Sequence, residues 1–163
     1  IDVNGAIEMT AGVVLVHGPT AQDNGAIDYD EYFTISGGLL VATGSAGMAQ
    51  APGNTSTQNS VLVRFGGMGQ GGTQAAGTLV HIQNSAGEEV LTFAPGRAYQ
   101  SIVVSAPELL MGGSYTIYLG GSSTGTASDG LYTGGTYTPG SAYTSFTINS
   151  VVTIIGGGGP PGP

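Results

Sequence analysis

The first thirty residues carry acidic and amide side chains at spacings that suit a divalent cation. Asp2 and Asn4 lie in one segment, and Asp28 and Asp30 hold the same two positions in a second segment, 26 residues further along. In a β-strand, alternate side chains point to the same face, about 6.6 Å apart, and neighbouring strands lie roughly 4.8 Å apart. If the two segments pair side by side, these four oxygen-bearing side chains form a small grid, and three of the four are anionic.

Carboxylates at this spacing need a counter-charge. Two of them repel by about 3.5 kcal/mol at an effective dielectric constant near 20. Six of the ten acidic residues lie in the first 31 positions, and no Lys or Arg precedes Arg64. Calcium takes six to eight oxygen ligands, and residues 22–24 (Gln-Asp-Asn) offer more of them. The pattern predicts a calcium site; the alternative is that the Asp and Asn side chains only hydrogen-bond to turns.

A repeat must position these side chains. Residues 1–18 (IDVNGAIEMTAGVVLVHG) and 27–44 (IDYDEYFTISGGLLVATG) match at Ile, Asp, apolar and Gly positions with an offset of 26. A fixed period of 20–50 residues is typical of solenoids, whose repeats stack because neither buries its apolar face alone. We therefore predict about two coils of a parallel β-helix, each of about 26 residues, within residues 1–58.

The pattern changes after residue 58. Short apolar, β-branched runs predict strands, and 78–82 and 89–93 flank a short turn that indicates a hairpin. We expect residues 59–155 to form an antiparallel, sandwich-like sheet that packs on or caps the coils, with a loop at 120–142. Residues 156–163 (GGGGPPGP) have the composition of a tail or linker. The expected strands are 61–65, 78–82, 89–93, 101–105, 114–119, 143–148 and 151–155.

Composition narrows the classes of function. The 163 residues include 31 Gly, no Lys, two Arg and no Cys, and the formal net charge is −8. Nucleic-acid binding needs basic groups that displace counterions from the phosphates, so we expect no binding to nucleic acid. No apolar run is long enough to span a bilayer. Low charge, many hydroxyl groups and no thiols suit a secreted or cell-surface protein.

Other motifs carry weaker signals. Tyr32, Tyr132 and Tyr137 are candidates for stacking on sugar rings. His17 and His81 are isolated in the sequence, and we expect each to be a surface or hydrogen-bonded histidine rather than a catalytic one. The stretch GMGQGG at 67–72 fits a phosphate-loop pattern, but no helix is expected after it, so it predicts no phosphate site.

Several phrases resemble one protein family. NGAIDYD, GMAQAP and EVLTFAP occur within a resemblance that extends from Ile1 to about Ile155. The chain resembles secreted bacterial β-helical carbohydrate-binding domain proteins, which are related in fold to family 9 polysaccharide lyases. The resemblance implies a right-handed parallel β-helix, bound calcium, and affinity for polysaccharides such as cellulose and pectin. It assigns the calcium role to a set that we call the acidic ladder: Asp2, Asn4, Asp23, Asn24, Asp28 and Asp30.

Three functions follow as expectations. The first is an extracellular calcium-binding protein that binds acidic or cellulosic polysaccharide and catalyses nothing. The second is a self-assembling subunit of a filament or surface layer, in which chains join through exposed β-edges at the ends of the coils. The third is a polysaccharide lyase. Lyase relatives use a basic residue as the proton acceptor, and this chain offers only Arg64 and Arg97, so we predict no enzyme activity.

Overall fold

A computed structural model describes residues 1–66 and 72–156, and the only regular elements in these two ranges are β-strands. The predicted all-β class is confirmed. The strands are β1 (Asp2–Val3), β2 (Ile7–Met9), β3 (Val13–His17), β4 (Asp28–Tyr29), β5 (Phe33–Ile35), β6 (Leu39–Gly44), β7 (Ser60–Arg64), β8 (Val80–Asn84), β9 (Glu89–Phe93), β10 (Ser101–Ser105), β11 (Ser114–Ser123), β12 (Thr126–Ser128), β13 (Leu131–Thr133), β14 (Tyr137–Thr147) and β15 (Val152–Ile155).

The two repeats stack in space with the register that the sequence predicts. Strands β1, β2 and β3 pair in parallel with β4, β5 and β6, and each Cα partner lies 26 positions along the chain. Gly12 and Gly38 occupy equivalent corners, with φ of 88° and 91°. A Cβ on Gly38 would lie 2.5 Å from the Gly12 carbonyl oxygen, so the stacked corner requires glycine.

The stacking does not continue as a solenoid, and a right-handed parallel β-helix is not shown. Residues 57 and 58 still donate backbone hydrogen bonds to Ile35 at 3.1 Å, as a third coil would. Strand β7, however, does not pair with β6, because β10 lies antiparallel between them. The result is a mixed five-stranded sheet in the order β15–β7–β10–β6–β3. The β10 sequence SIVVS carries no charge and is buried along its whole length, which suits this central position.

A second sheet has six antiparallel strands in the order β12–β13–β9–β8–β11–β14. The predicted hairpin is confirmed as β8 and β9. The loop predicted for 120–142 is wrong, because this stretch contains β12, β13 and the first part of β14. Its Thr and Tyr residues favour strands, and its Gly residues supply the turns between them.

Two apolar cores hold the layers together. The first core lies between the two large sheets and includes Val63, Phe93, Ile102 and Ile117. The second core lies between the other face of the five-stranded sheet and the short pairs β1/β4 and β2/β5. The five-stranded sheet takes strands from both sides of residue 58, so the predicted antiparallel segment shares a sheet with the repeats. The domain division at 58 stays a prediction.

Two features of the sequence lie largely outside the described residues. Residues 67–71 of the GMGQGG motif and residues 157–163 of the tail belong to this undescribed part. In the ranges 1–66 and 72–156, no helix is long and apolar enough to cross a membrane.

Candidate functional site

The acidic ladder begins with two aspartates on neighbouring strands. Asp2 and Asp28 are direct partners in the parallel pair β1/β4. Asp2 is exposed and Asp28 is half-buried. Tyr29 points inward, as the alternation predicts, and its ring packs edge-to-face on Phe33 at a centroid distance of 6.0 Å. The pairing therefore brings two carboxylates to one outward face.

The other ladder residues are less closely gathered. Asn4 and Asp30 are exposed just beyond the two strands. Asp23 and Asn24 lie in the loop before β4, where the Ser45 hydroxyl donates a 2.5 Å hydrogen bond to the Asn24 carbonyl oxygen. Among the described residues, no three His, Cys, Asp or Glu side chains form a metal-binding group. The Asp2–Asp28 pair supplies at most four oxygens, so calcium there would need backbone, water or ligand oxygens as well.

A charge-neutralising variant tests the calcium prediction. Without calcium, Asp28→Asn relieves repulsion from Asp2, so we expect a melting temperature equal to or slightly above that of the unmodified protein. With calcium at 100 times its dissociation constant, the unmodified protein should gain about 2.7 kcal/mol of stability, and Asp28→Asn should lose most of this gain. Thermal unfolding in chelator and in calcium measures both. Glu108→Gln removes the same charge from an exposed position elsewhere, and it should gain as much stability from calcium as the unmodified protein does. An equal loss of this gain in both variants would contradict a ladder site.

A second site lies on the outer face of the six-stranded sheet, the face turned away from the first core. We call it the outer cleft. Its centre is His81 on β8, which is only 3% exposed. The direct strand partners of His81 are Thr92 on β9 and Tyr118 on β11. The cleft has a volume of about 270 Å³ and is lined by His81, Gln83, Gly87, Glu89, Gly135, Thr136, Tyr137 and Pro139.

A hydrogen-bond chain places a proton on Nδ1 of the His81 ring. The Thr92 hydroxyl donates to Glu89 Oε2 at 2.6 Å, so it accepts the proton on His81 Nδ1 at 2.7 Å. His81 Nε2 lies 3.2 Å from Gln83 Oε1. When the ring is protonated, Nε2 donates to this oxygen. When the ring is neutral with its proton on Nδ1, Nε2 can only accept, so the Gln83 amide must turn over to present its NH₂. The Gln83 side chain therefore serves both states of the histidine.

Tyr137 covers the histidine. The two rings stack at a centroid distance of 3.8 Å with an interplanar angle of 12°. The Tyr137 hydroxyl donates to the Gly120 carbonyl oxygen at 2.8 Å and accepts from the Gly140 N–H at 3.0 Å. Gly120 and Gly121 have φ of 75° and 79°, a left-handed backbone that glycine adopts readily. The strand pair β11/β14 holds Tyr137 over His81. The tyrosine is fixed by stacking on its ring face and by hydrogen bonds at its hydroxyl group.

Two register irregularities lie beside the same residues. One falls between Ile82 and Gln83 on β8, and the other between Ile117 and Tyr118 on β11. Bulges re-aim side chains and are over-represented next to functional sites. Both irregularities adjoin the strand pair that carries His81 and Tyr118, so the sheet is locally distorted where its polar and aromatic groups converge.

The buried histidine makes stability depend on pH. Burial lowers the pKa of His81, although the Gln83 hydrogen bond and the Glu89 carboxylate act in the opposite direction. Below about pH 6.5, the unfolded histidine binds a proton that the folded ring resists. The unfolded state then binds more protons than the folded state, so stability falls as pH decreases from 6.5 towards the lowered pKa, by at most about 1.4 kcal/mol per pH unit.

Urea unfolding between pH 7.5 and 5.5 measures this dependence. We expect the unmodified protein to lose more stability across this range than His81→Gln does. The other histidine, His17, is present in both proteins, so its contribution cancels in the difference. Parallel loss in the two proteins would show that His81 is not linked to folding.

The remaining predicted residues do not join one site. Tyr137 lines the outer cleft, whereas Tyr132 lies on β13, two strands from β8. Tyr32 is exposed beside the second repeat, where its hydroxyl donates to Glu8 at 3.1 Å. This hydrogen bond, more than the charge of Glu8, raises the pKa of Tyr32. The three tyrosines therefore do not form a continuous platform.

The two arginines and the first histidine have separate positions. Arg64 donates to the carbonyl oxygens of residues 46 and 49 at 3.3 and 3.0 Å, and Arg97 is exposed. His17 accepts from the Gly96 N–H at 2.9 Å, and its ring stacks on Phe93. His17 is thus hydrogen-bonded, as predicted. His81 is hydrogen-bonded too, but its place at the centre of a cleft was not predicted from the sequence, which shows it only as an isolated histidine.

Comparison with known proteins gives no relative. No protein-family model, no curated protein and no solved structure matches the chain. A function for this protein therefore depends on the chemistry of the outer cleft and the acidic ladder.

Proposed function

We propose that this protein is an extracellular calcium-binding protein that binds acidic or cellulosic polysaccharide without catalysis. The single observation that supports it best is the outer cleft, where the fixed Tyr137 ring stands beside hydrogen-bonding groups on Glu89, Gln83 and Thr136. Binding sites for small organic groups combine an apolar or aromatic wall with a few placed polar groups. The cleft offers both on a rigid sheet.

The chemistry of a sugar ring fits these groups. A pyranose has an apolar C–H face that packs on an aromatic ring, and hydroxyl groups that donate to carboxylates and amides. The Glu89 side chain is 42% exposed, so its carboxylate retains acceptor capacity beyond the hydrogen bond from Thr92. A volume of about 270 Å³ suits one ring of a longer chain rather than a large ligand. We propose that the cleft grips one residue of the polysaccharide.

Calcium has a separate part in the proposal. Asp2 and Asp28 of the acidic ladder lie on the short pair β1/β4, and the five-stranded sheet and both cores separate the short pairs from the six-stranded sheet. A protein of net charge −8 repels a polyuronate, so a cation held by Asp2 and Asp28 would lower that repulsion and could bridge to uronate carboxylates. Calcium would also stabilise the stacked repeats.

The absence of catalysis is part of the proposal. Lyase chemistry requires a base beside the uronate carboxylate. Arg64 is engaged with two backbone carbonyl groups, and His81 is engaged by Thr92 and Gln83 beneath Tyr137. These contacts favour positioning over proton abstraction. Incubation with polygalacturonate should produce no ultraviolet absorbance from unsaturated uronate products.

Electrophoresis through gels that contain a polysaccharide tests the proposal. We expect polygalacturonate, and to a lesser degree soluble cellulose derivatives, to slow the protein in the presence of calcium. A protein without affinity for polysaccharide serves as the mobility reference in the same gels. Unchanged mobility in polygalacturonate, cellulose derivatives and xylan, all with calcium, would refute the proposed function.

A further inference from the structure

Within residues 1–66 and 72–156, no further strand pairs with either edge of the five-stranded sheet. The edge strands are β3, with the sequence VVLVH, and β15, with the sequence VTII. Neither contains Lys, Arg, Asp, Glu or Pro, and neither has a register irregularity with its partner. Natural edge strands usually carry a charge, a proline or a bulge that prevents pairing with another chain. These two edges lack all three.

The backbone groups that β3 leaves unpaired follow from its inner contacts. The Gly12 carbonyl oxygen accepts from the Leu39 N–H at 2.9 Å, and the Gly18 N–H donates to the Thr43 carbonyl oxygen at 2.7 Å. Backbone groups alternate in direction along a strand. The even-numbered residues of this strand therefore face β6, and Val13, Leu15 and His17 direct their N–H and C=O groups to the free edge.

The same reasoning applies to β15. The Val151 carbonyl oxygen accepts from the Ser60 N–H at 2.8 Å, so the odd-numbered residues face β7. Val152 and Ile154 then direct their backbone groups to the free edge. The Ile154 side chain is 60% exposed, as is Val13 on the opposite edge.

The two edges are complementary in direction. Strand β3 is parallel to β6, β15 is parallel to β7, and β10 is antiparallel to both β6 and β7. Strands β3 and β15 therefore run the same way at opposite edges of one sheet. A second copy placed beside the first without reversal would bring its β3 against β15 in parallel, which is the pairing that each strand already makes inside the molecule.

Each edge also has space for an incoming strand. A groove of about 530 Å³ runs along β3 and is lined by Val13, Leu15, His17, Ser128, Asp129 and Leu131. On the other side, Val152 and Ile154 border a groove of about 410 Å³ that also contacts Leu62 and Tyr29. Apolar side chains from a partner strand would fill these grooves and bury the exposed Val13 and Ile154.

We propose that copies of this chain join head to tail, with β15 of one copy paired in parallel with β3 of the next. Because two different edges meet, the contact is heterologous and repeats without closing, which yields a linear assembly. This inference is independent of polysaccharide binding. The sequence predicted that chains join through the ends of the coils, whereas the contact proposed here lies at the edges of the five-stranded sheet.

Single lysine substitutions at each edge test the contact. We expect the unmodified protein to form concentration-dependent oligomers in sedimentation velocity and linear particles in electron micrographs. Val13→Lys and Ile154→Lys should each weaken self-association at least about 30-fold, because either charge would be buried in the contact. Val13→Thr and Ile154→Thr keep a neutral β-branched side chain and should still assemble.

Mixing the two lysine variants identifies which edges meet. Each variant retains one intact edge, so an equimolar mixture should form dimers and nothing longer. Dimers of Ile154→Lys alone would mean that β3 pairs with β3, and dimers of Val13→Lys alone would mean that β15 pairs with β15; either result overturns the head-to-tail contact. A strictly monomeric unmodified protein at high concentration, or assembly that both lysine variants retain, would overturn it as well.

Discussion

Replacing Ile102 with alanine is expected to lower the free energy of unfolding by about 3 kcal/mol. Ile102 lies at the second position of β10, is fully buried, and belongs to the first core. Its strand partners are Thr43 on β6 and Val63 on β7. Loss of its side chain removes apolar burial and leaves a cavity in a sheet whose two faces are both covered, so the surroundings have little room to collapse.

Urea and thermal unfolding measure this effect. For a domain of this size, about 3 kcal/mol corresponds to a fall in melting temperature of roughly 6–12 °C. Leu110→Ala is the matched control, because Leu110 is 63% exposed and its truncation should change stability by less than about 0.5 kcal/mol. Equal, small effects in the two variants would mean that β10 is not the central strand of the sheet.

Tyr137→Ala is expected to weaken polysaccharide binding by roughly 10- to 100-fold. The substitution removes the aromatic wall of the outer cleft and exposes the His81 ring that it covers. Tyr137→Phe keeps the ring and loses only the hydroxyl bonds to Gly120 and Gly140, so it should bind more tightly than the alanine variant. Retardation in polygalacturonate gels gives the affinities, and circular dichroism verifies that each variant is folded.

Tyr132→Ala separates the cleft from a general loss of aromatic surface. Tyr132 is half-buried on β13 and does not line the cleft. Its truncation should leave the affinity within about threefold of that of the unmodified protein, a difference of at most ~0.7 kcal/mol. Binding that survives Tyr137→Ala and disappears in Tyr132→Ala would move the site to the hairpin of β12 and β13.

The local part of the fold was predictable from sequence. The 26-residue repeat fixes which residues pair, because stacked corners need glycine at Gly12 and Gly38 and because apolar positions alternate in both copies. The hairpin of β8 and β9 follows from its short turn. In each case neighbouring residues, or residues at a constant offset, carry the information.

The rest depended on pairing between distant segments. Strand β10 is 57 residues from its β6 partner when Ser101 and Gly44 are compared, and nothing in SIVVS specifies that it enters between two segments of the repeat region. Any buried strand of that composition would fit a two-sided sheet position. The sequence thus indicated the strand but not its neighbours.

The outer cleft was hidden for a related reason. His81, Thr92 and Tyr118 become neighbours only through the register of three antiparallel strands. Tyr137 stacks on His81 because its hydroxyl group bonds to Gly120, where Gly120 and Gly121 give β11 a left-handed backbone. The alternation along β8, with Val80 and Ile82 buried in the first core, placed His81 on the opposite face. That face was recognisable from the sequence, but its partners were not.

The most direct test is a calorimetric titration of polygalacturonate chains, long enough to contact both the outer cleft and the acidic ladder, into the unmodified protein, in millimolar calcium and again in chelator. Saturable binding in calcium that weakens at least about tenfold in chelator, a difference of about 1.4 kcal/mol, is the predicted result. The absence of binding heat in both conditions, at protein concentrations where folding is verified, would contradict the proposal that this protein binds acidic polysaccharide.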